Sequence, residues 1–288
     1  MKVRLRKICV TALAAGLSVL GAQVLSAAPA AAATLPPGSV RTVVAQSPSN
    51  ALSVKSFSAD CLSGERVLGG GAFTVGGVHA VITEMQPIHP VTGVDSFKVT
   101  AAADQFGISG VWSFQAYAFC ARIPSTLQVE LLSHTDPPTS TTFDDAFLRC
   151  PRGVVVGGGG KIDNGGGQVD LGTGPAFRTG FGALAKEDAD GFAGNYTVTV
   201  YVLCAVSRIF FDLEMVQTSS GTVGASQTAV LACSSGFELT GLAAETVVPG
   251  THIQQIRPSQ ANLAVFGAQS SVPPTESWSM DYTVYCAR

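Results

Sequence analysis

Trp112-Ser-Phe-Gln-Ala-Tyr-Ala-Phe-Cys120-Ala121 reads as one β-strand. Counting back in twos from Cys120 gives Ala118, Ala116, Phe114 and Trp112, an unbroken apolar face. Two-residue periodicity rich in aromatic and β-branched residues marks a half-buried strand. The reading recurs. From Cys204 the same count gives Val202, Val200, Val198 and Tyr196; from Cys286 it gives Val284, Tyr282, Met280 and Trp278. The opposite face starts polar (Ser113, Gln115; Thr197, Thr199; Ser279, Asp281) and turns apolar toward each cysteine. That end should be covered on both sides.

Each of these cysteines has an upstream partner that opens Cys-x-x-Gly: Cys61-Leu-Ser-Gly64, Cys150-Pro-Arg-Gly153 and Cys233-Ser-Ser-Gly236. A pattern recurring every ~85 residues implies one structural unit copied twice. The repeats are expected over 34–123, 124–207 and 208–288. They follow one another with almost no linker, which argues that they pack together. A strand is also expected before the cysteine strand, at Phe97-Lys-Val-Thr-Ala, Phe181-Gly-Ala-Leu-Ala and Leu263-Ala-Val-Phe-Gly. Turns at Asp104-Gln-Phe-Gly, Asp188-Ala-Asp-Gly and Pro273-Pro-Thr would make the two strands a hairpin.

Further strands are expected at 40–45, 127–132 and 210–216. Downstream of each first cysteine a glycine recurs at eight residues (Gly69, Gly158, Gly241) and a small residue at ten (Gly71, Gly160, Ala243). Small residues along a strand admit a close backbone or a large ring; the ring is expected to be Trp112, Tyr196 or Trp278. Pro87, Pro175 and Pro258 should end strands. The expected fold is therefore all-β, without helix. It comprises three tandem homologous antiparallel modules of five to six strands, packed together as a β-prism-like body or as three small sandwiches.

The six cysteines beyond residue 33, which leave out Cys9, allow 15 pairings in principle. A duplicated unit should carry its own bridge, which selects Cys61 with Cys120, Cys150 with Cys204 and Cys233 with Cys286. Loops of this size make each bridge worth roughly 4 kcal/mol on the chain-entropy account. The close Cys-x-x-Cys or Cys-x-x-His spacing of zinc sites is missing, so neither a metal nor any other cofactor is expected.

Lys2, Arg4, Arg6 and Lys7 precede an apolar stretch at 8–25 and a run of alanines ending at Ala33. That order reads as a secretory leader cut after Ala33, and export suits disulfides. Without 1–33, 13 basic residues face 20 acidic ones, a net charge of −7. Such a chain is a poor partner for nucleic acid or anionic lipid, and no second stretch of transmembrane length follows. Charged residues are only 13% of the sequence, against the usual quarter.

Candidate chemistry is sparse. Gly69-Gly-Gly and Gly157 to Gly160 lack the Gly-Lys-Ser/Thr of a phosphate loop and read as strand packing. Asp188-Ala-Asp190-Gly191 has two residues of a calcium loop but not its later ligands, and reads as a solvated turn. His79 and His252 occupy similar repeat positions and read as tolerated loop residues. His134-x-Asp136 could orient an imidazole, but no Gly-x-Ser-x-Gly elbow accompanies it. Trp112, Tyr196 and Trp278 read as core, whereas Tyr117, Tyr201 and Tyr285 on the other face read as exposed.

The run Cys-x-x-Gly, Leu-Gly-Gly-Gly, Trp-x-Phe-x-Ala-Tyr-Ala-x-Cys-Ala, which is fullest in residues 61–121, resembles modules of secreted actinobacterial proteins that carry no assigned activity. The second copy has Tyr196 for the tryptophan, and the third has Leu239-Thr-Gly-Leu-Ala for the glycine run. Triple copying also resembles three-fold β-prism proteins such as vitelline membrane outer layer protein I, a likeness of repeat number alone. The function expected is a secreted, non-enzymatic protein that binds an extracellular or cell-envelope component, with glycan the favoured class. The alternatives are a structural envelope or matrix protein and a secreted hydrolase, the last requiring a polar cleft that holds His134 or His89 beside Ser or Asp.

Overall fold

The computed structural model describes residues 35–36, 38–75, 79–207, 212–222, 224–271 and 277–288. The leader expected at 1–33, the start of the stretch at 210–216 and the turn at 273–275 lie outside the described residues. The first third holds β1 (Val40–Gln46), β2 (Val54–Asp60), β3 (Arg66–Val75), β4 (Ala80–Ile88), β5 (Ser96–Ala103) and β6 (Ser113–Ala121). The second holds β7 (Leu127–Thr135), β8 (Phe143–Arg149), β9 (Val154–Asp163), β10 (Val169–Thr173), β11 (Gly180–Glu187) and β12 (Thr197–Ser207). The third holds β13 (Leu213–Thr222), β14 (Ser226–Ala232), β15 (Glu238–Thr246), β16 (Thr251–Gln260), β17 (Leu263–Ser270) and β18 (Trp278–Ala287). No helix occurs among the described residues.

These strands form four antiparallel sheets, not three modules. Their orders are β1-β6-β3-β16-β17-β14, β10-β11-β8, β2-β5-β4-β9-β12-β7 and β13-β18-β15. The expectation of three self-contained modules is therefore corrected: both six-stranded sheets draw strands from two thirds of the chain. The expected hairpins are corrected too. β5 pairs with β2 and β4, whereas β6 pairs with β1 and β3. Residues 104–112 thus carry the chain from one sheet to another.

The glycines explain the sharing. In register against the cysteine strands, Gly71 faces Tyr117, Gly159 faces Tyr201 and Ala243 faces Thr283. A Cβ at Gly71 would lie 2.0 Å from the Ile256 carbonyl oxygen, and one at Gly159 would lie 1.9 Å from that of Met85. Their absence lets β3 close on β16 and β4 on β9, so two ladders run on across the thirds. At the third junction Ala243 keeps its methyl. There the Thr173 hydroxyl spans the gap instead, accepting from the Ala244 N–H at 3.1 Å and donating to the Ala244 carbonyl at 3.4 Å. A side-chain bridge replaces a backbone ladder, and both three-stranded sheets end at this junction.

A second set of glycines meets at the centre. Gly69, Gly157 and Gly241 each follow a one-residue bulge against β6, β12 and β18. A Cβ at Gly69 would lie 2.4 Å from the Thr240 oxygen, at Gly157 2.2 Å from the Leu68 oxygen, and at Gly241 2.5 Å from the Gly157 Cα. Each glycine thus contacts the next strand's backbone in a closed cycle. The second member is Gly157 rather than the expected Gly158, because the loop after Cys150 is one residue shorter. The rings over the neighbouring glycines are Phe97 on Gly70 and Phe181 on Gly158, not Trp112 or Tyr196. Burying a phenyl ring contributes about 2–3 kcal/mol.

Trp112, Tyr196 and Trp278 are core anchors. Trp112 Nε1 donates to Leu52 O at 2.8 Å, Tyr196 Oη to Thr141 O at 2.6 Å and Trp278 Nε1 to Gly224 O at 2.9 Å. Tyr117 and Tyr285 are buried as well, which corrects their expected exposure.

The bridges are Cys61–Cys120, Cys150–Cys204 and Cys233–Cys286. Their first cysteines follow β2, β8 and β14, and their second lie within β6, β12 and β18. Every bridge therefore links two different sheets. Three buried disulfides mark an oxidising environment. Glycines 64, 153 and 236 in the Cys-x-x-Gly turns all sit at positive φ (80°, 81° and 85°), which an L side chain adopts only with strain. Pro87 and Pro258 lie inside β4 and β16 rather than ending them, while Pro175 follows β10.

Candidate functional site

The loops at one end of the sheets enclose a cavity of about 280 Å³. All three thirds of the chain line it. Val81 comes from β4, and Asp104, Gln105 and Phe106 from the segment after β5. Gly167 and Asp170 come from the turn before β10 and from β10 itself. Asp188, Ala189 and Asp190 follow β11, His252 lies in β16, and Ser271 follows β17. No lysine or arginine is among the lining residues.

Asp170 is the deepest of the four carboxylates. It is 4% exposed, in a strand whose five residues are all buried. Its cross-strand partner is Lys186, likewise buried. The Lys186 ammonium nevertheless turns away. It donates to Thr246 O at 3.1 Å, Thr246 Oγ1 at 2.7 Å, Thr251 Oγ1 at 3.1 Å and the Thr251 carbonyl. Lysine has three protons to give, and these four acceptors take them. Asp170 Oδ2 is left with no hydrogen-bond partner, as is Oδ1 of Asp188.

Burial pushes the Asp170 carboxyl up to about 7, against the pull of Lys186 and with Asp188 and Asp104 adding to the rise. Burial, with Asp190 alongside, brings Asp188 up to about 6. Burial lowers Lys186 to about 8, with Asp170 and Glu245 opposing. Asp190 accepts from Gln105 Nε2 at 2.7 Å, and Asp104 pairs with His79 Nδ1 at 2.7 Å.

Phe106 stands at the rim, 67% exposed, with its ring 5.7 Å from that of His79. Asp104, Gln105, Phe106 and Gly167 also border a shallower groove of about 550 Å³ that contains Glu84, Thr100, Lys161 and Asp163. The rim residues therefore separate a cavity lined by four carboxylates from an open groove that holds Glu84, Lys161 and Asp163 among apolar neighbours.

Several expected roles change. Residues 188–191 form the expected turn with Asp190 exposed, and the same turn supplies a wall of the cavity through Asp188 and Asp190. His79 pairs with Asp104, and Asp104 and His252 both line the cavity. His134 is exposed and pairs with Asp136 at 3.0 Å; His89 pairs with Asp95 at 2.9 Å and lines neither depression. All six cysteines among the described residues are in disulfides. Cys61, Glu65 and Cys120 are near one another, but the two sulfurs are bonded to each other and offer no metal site. From sequence, Asp104 and Phe106 have only a place in a turn, and Asp170 has no role. Asp170 had a signal, being the one charge in Val169-Asp-Leu-Gly-Thr173; a charge inside a buried strand needs a reason. No protein-family model matches the chain and no curated protein matches its sequence, which leaves the chemistry of the cavity as the guide to function.

Proposed function

We propose that this is a secreted, non-enzymatic binding protein that recognises an extracellular or cell-envelope glycan at the cavity and groove divided by Phe106. The observation that carries this reading is an exposed aromatic ring on a rim between two depressions, each of which holds carboxylates. A ring face covers the C–H surface of a sugar, while carboxylates and amides accept or donate to its hydroxyls. One small cavity and one longer groove suit an end unit and the units that follow it. The leader expected at 1–33 and the oxidising environment marked by the disulfides support export.

Binding to cell-wall polysaccharides and to a glycan array tests this reading. Phe106→Ala is expected to weaken binding at least tenfold while leaving the thermal melt unchanged, because the ring is exposed. No binding above control by the wild-type protein overturns the reading. The raised carboxyls of Asp170 and Asp188 give a hydrolase reading one concrete form: release of reducing ends that Asp188→Asn abolishes would replace binding with hydrolysis.

A further inference from the structure

We propose that the cavity selects a sugar unit carrying a free ammonium group, a de-N-acetylated amino sugar, with Asp170 as its main acceptor. This rests on the glycan reading and narrows it. Four carboxylates line the cavity and no lysine or arginine joins them. Asp104 has His79 and Asp190 has Gln105, but Oδ2 of Asp170 and Oδ1 of Asp188 have no partner. A buried acceptor without a donor is costly, and donors that carry charge satisfy it best. Lys186 cannot turn to Asp170 without leaving Thr246 and Thr251. The missing donor must therefore come from outside, and the field it meets is negative.

A bare divalent cation fits less well. Its ligands would lie about 2.4 Å from the ion, which brings their oxygens close together. Among the described residues, no three carboxylate or imidazole ligand atoms in this cavity lie within 4.8 Å of one another. Acceptors spread around a cavity suit donors spread over a molecule. An amino sugar offers an ammonium for Asp170 and Asp188, and hydroxyls for Asp190, Gln105 and Ser271. An N-acetyl group would remove the charge and set a methyl against the carboxylates.

Calorimetry on the full mature chain with the tetramers of glucosamine and of N-acetylglucosamine tests the proposal. The de-acetylated tetramer should bind at least tenfold more tightly at pH 7.5 and 50 mM salt. That preference should shrink as salt rises. It should also fall toward pH 5, as Asp170 and Asp188 take up protons. Lys186, the cross-strand partner of Asp170, keeps its charge over this range although its ammonium is bound to Thr246 and Thr251, and it opposes an ammonium more strongly once Asp170 is neutral; His252 also lines the cavity. Asp170→Asn should erase the preference, and Asp188→Asn should reduce it; folding of each is checked by its melt. Equal or tighter binding of the acetylated tetramer overturns the ammonium inference and leaves the glycan reading standing. So does binding of other array glycans with neither tetramer bound. Calcium binding that displaces the tetramer also overturns it, and failure of every glycan removes both proposals.

Discussion

Gly157→Ala is expected to cost about 4 kcal/mol or more and to leave little folded protein at 37 °C. The new methyl would sit 2.2 Å from the Leu68 carbonyl oxygen and 3.1 Å from the Gly69 Cα. Neither neighbour is the free end of a side chain. Leu68 is the bulged residue of β3 and is itself buried. Gly69 in turn abuts Thr240 and Gly241, and Gly241 abuts Gly157. To relieve the clash β3 would have to retreat from β9, which disturbs its contact with β15 as well. A close-packed interior transmits such a shift rather than absorbing it. Gly221→Ala is the control. Its Cβ meets nothing nearer than 3.7 Å, so it should stay within about 0.5 kcal/mol of wild type. Urea unfolding followed by circular dichroism measures both. A Gly157→Ala protein that unfolds cooperatively within 1 kcal/mol of wild type would show that the three strands do not meet in the closed cycle described.

What could be read beforehand follows from how local the physics is. The strand at 112–121 is legible because alternation, aromatic content and a terminal cysteine agree within ten residues. The disulfide pairs are legible because sulfur positions recur with the strands they staple. The choice of neighbours is not local. Nothing in Phe97 to Ala103 says that β5 joins β2 and β4 instead of folding back on β6. That depends on which sheet each strand's apolar face meets. The sheet count turns on one methyl, since Ala243 stands where Gly71 and Gly159 allow a ladder. The cavity was least legible. Asp104, Asp170, Asp188 and His252 are far apart in the chain and carry no common spacing. Sequence shows Asp104 and Asp188 as turn residues, Asp170 as a charge in an apolar strand and His252 as a loop position, and only the crossing of the sheets makes them one wall.

The protein is expected to be more stable at pH 5 than at pH 7.5, by about 3 kcal/mol or about 8 °C in Tm. Asp170 and Glu245 carry the effect, because burial raises the carboxyls of both to about 7. In the unfolded chain these groups ionise near pH 4, while the folded protein holds their protons. Between pH 4 and 7 the folded state therefore binds more protons than the unfolded one, and stability falls as pH rises. Lys186, lowered to about 8, works in the next window. Above pH 8 it is neutral when folded and still charged when unfolded, so stability recovers toward pH 10. At the acid end the sign reverses. Glu65 is held below the usual carboxylate range by Arg41, and Asp95 by His89 and the Val67 N–H despite its burial. The stability they provide is lost as pH drops below about 4, which places the maximum near pH 4–5. Asp170→Asn should raise Tm at pH 7.5 by about 4 °C and change it little at pH 5, flattening the profile from one side. Melts across pH 4–10 decide the matter. A wild-type profile that is level or climbing between pH 5 and 7.5, or one that Asp170→Asn leaves unaltered, would mean that Asp170 already has a donor in the folded protein. The cavity would then lack the deep acceptor on which the ammonium proposal rests.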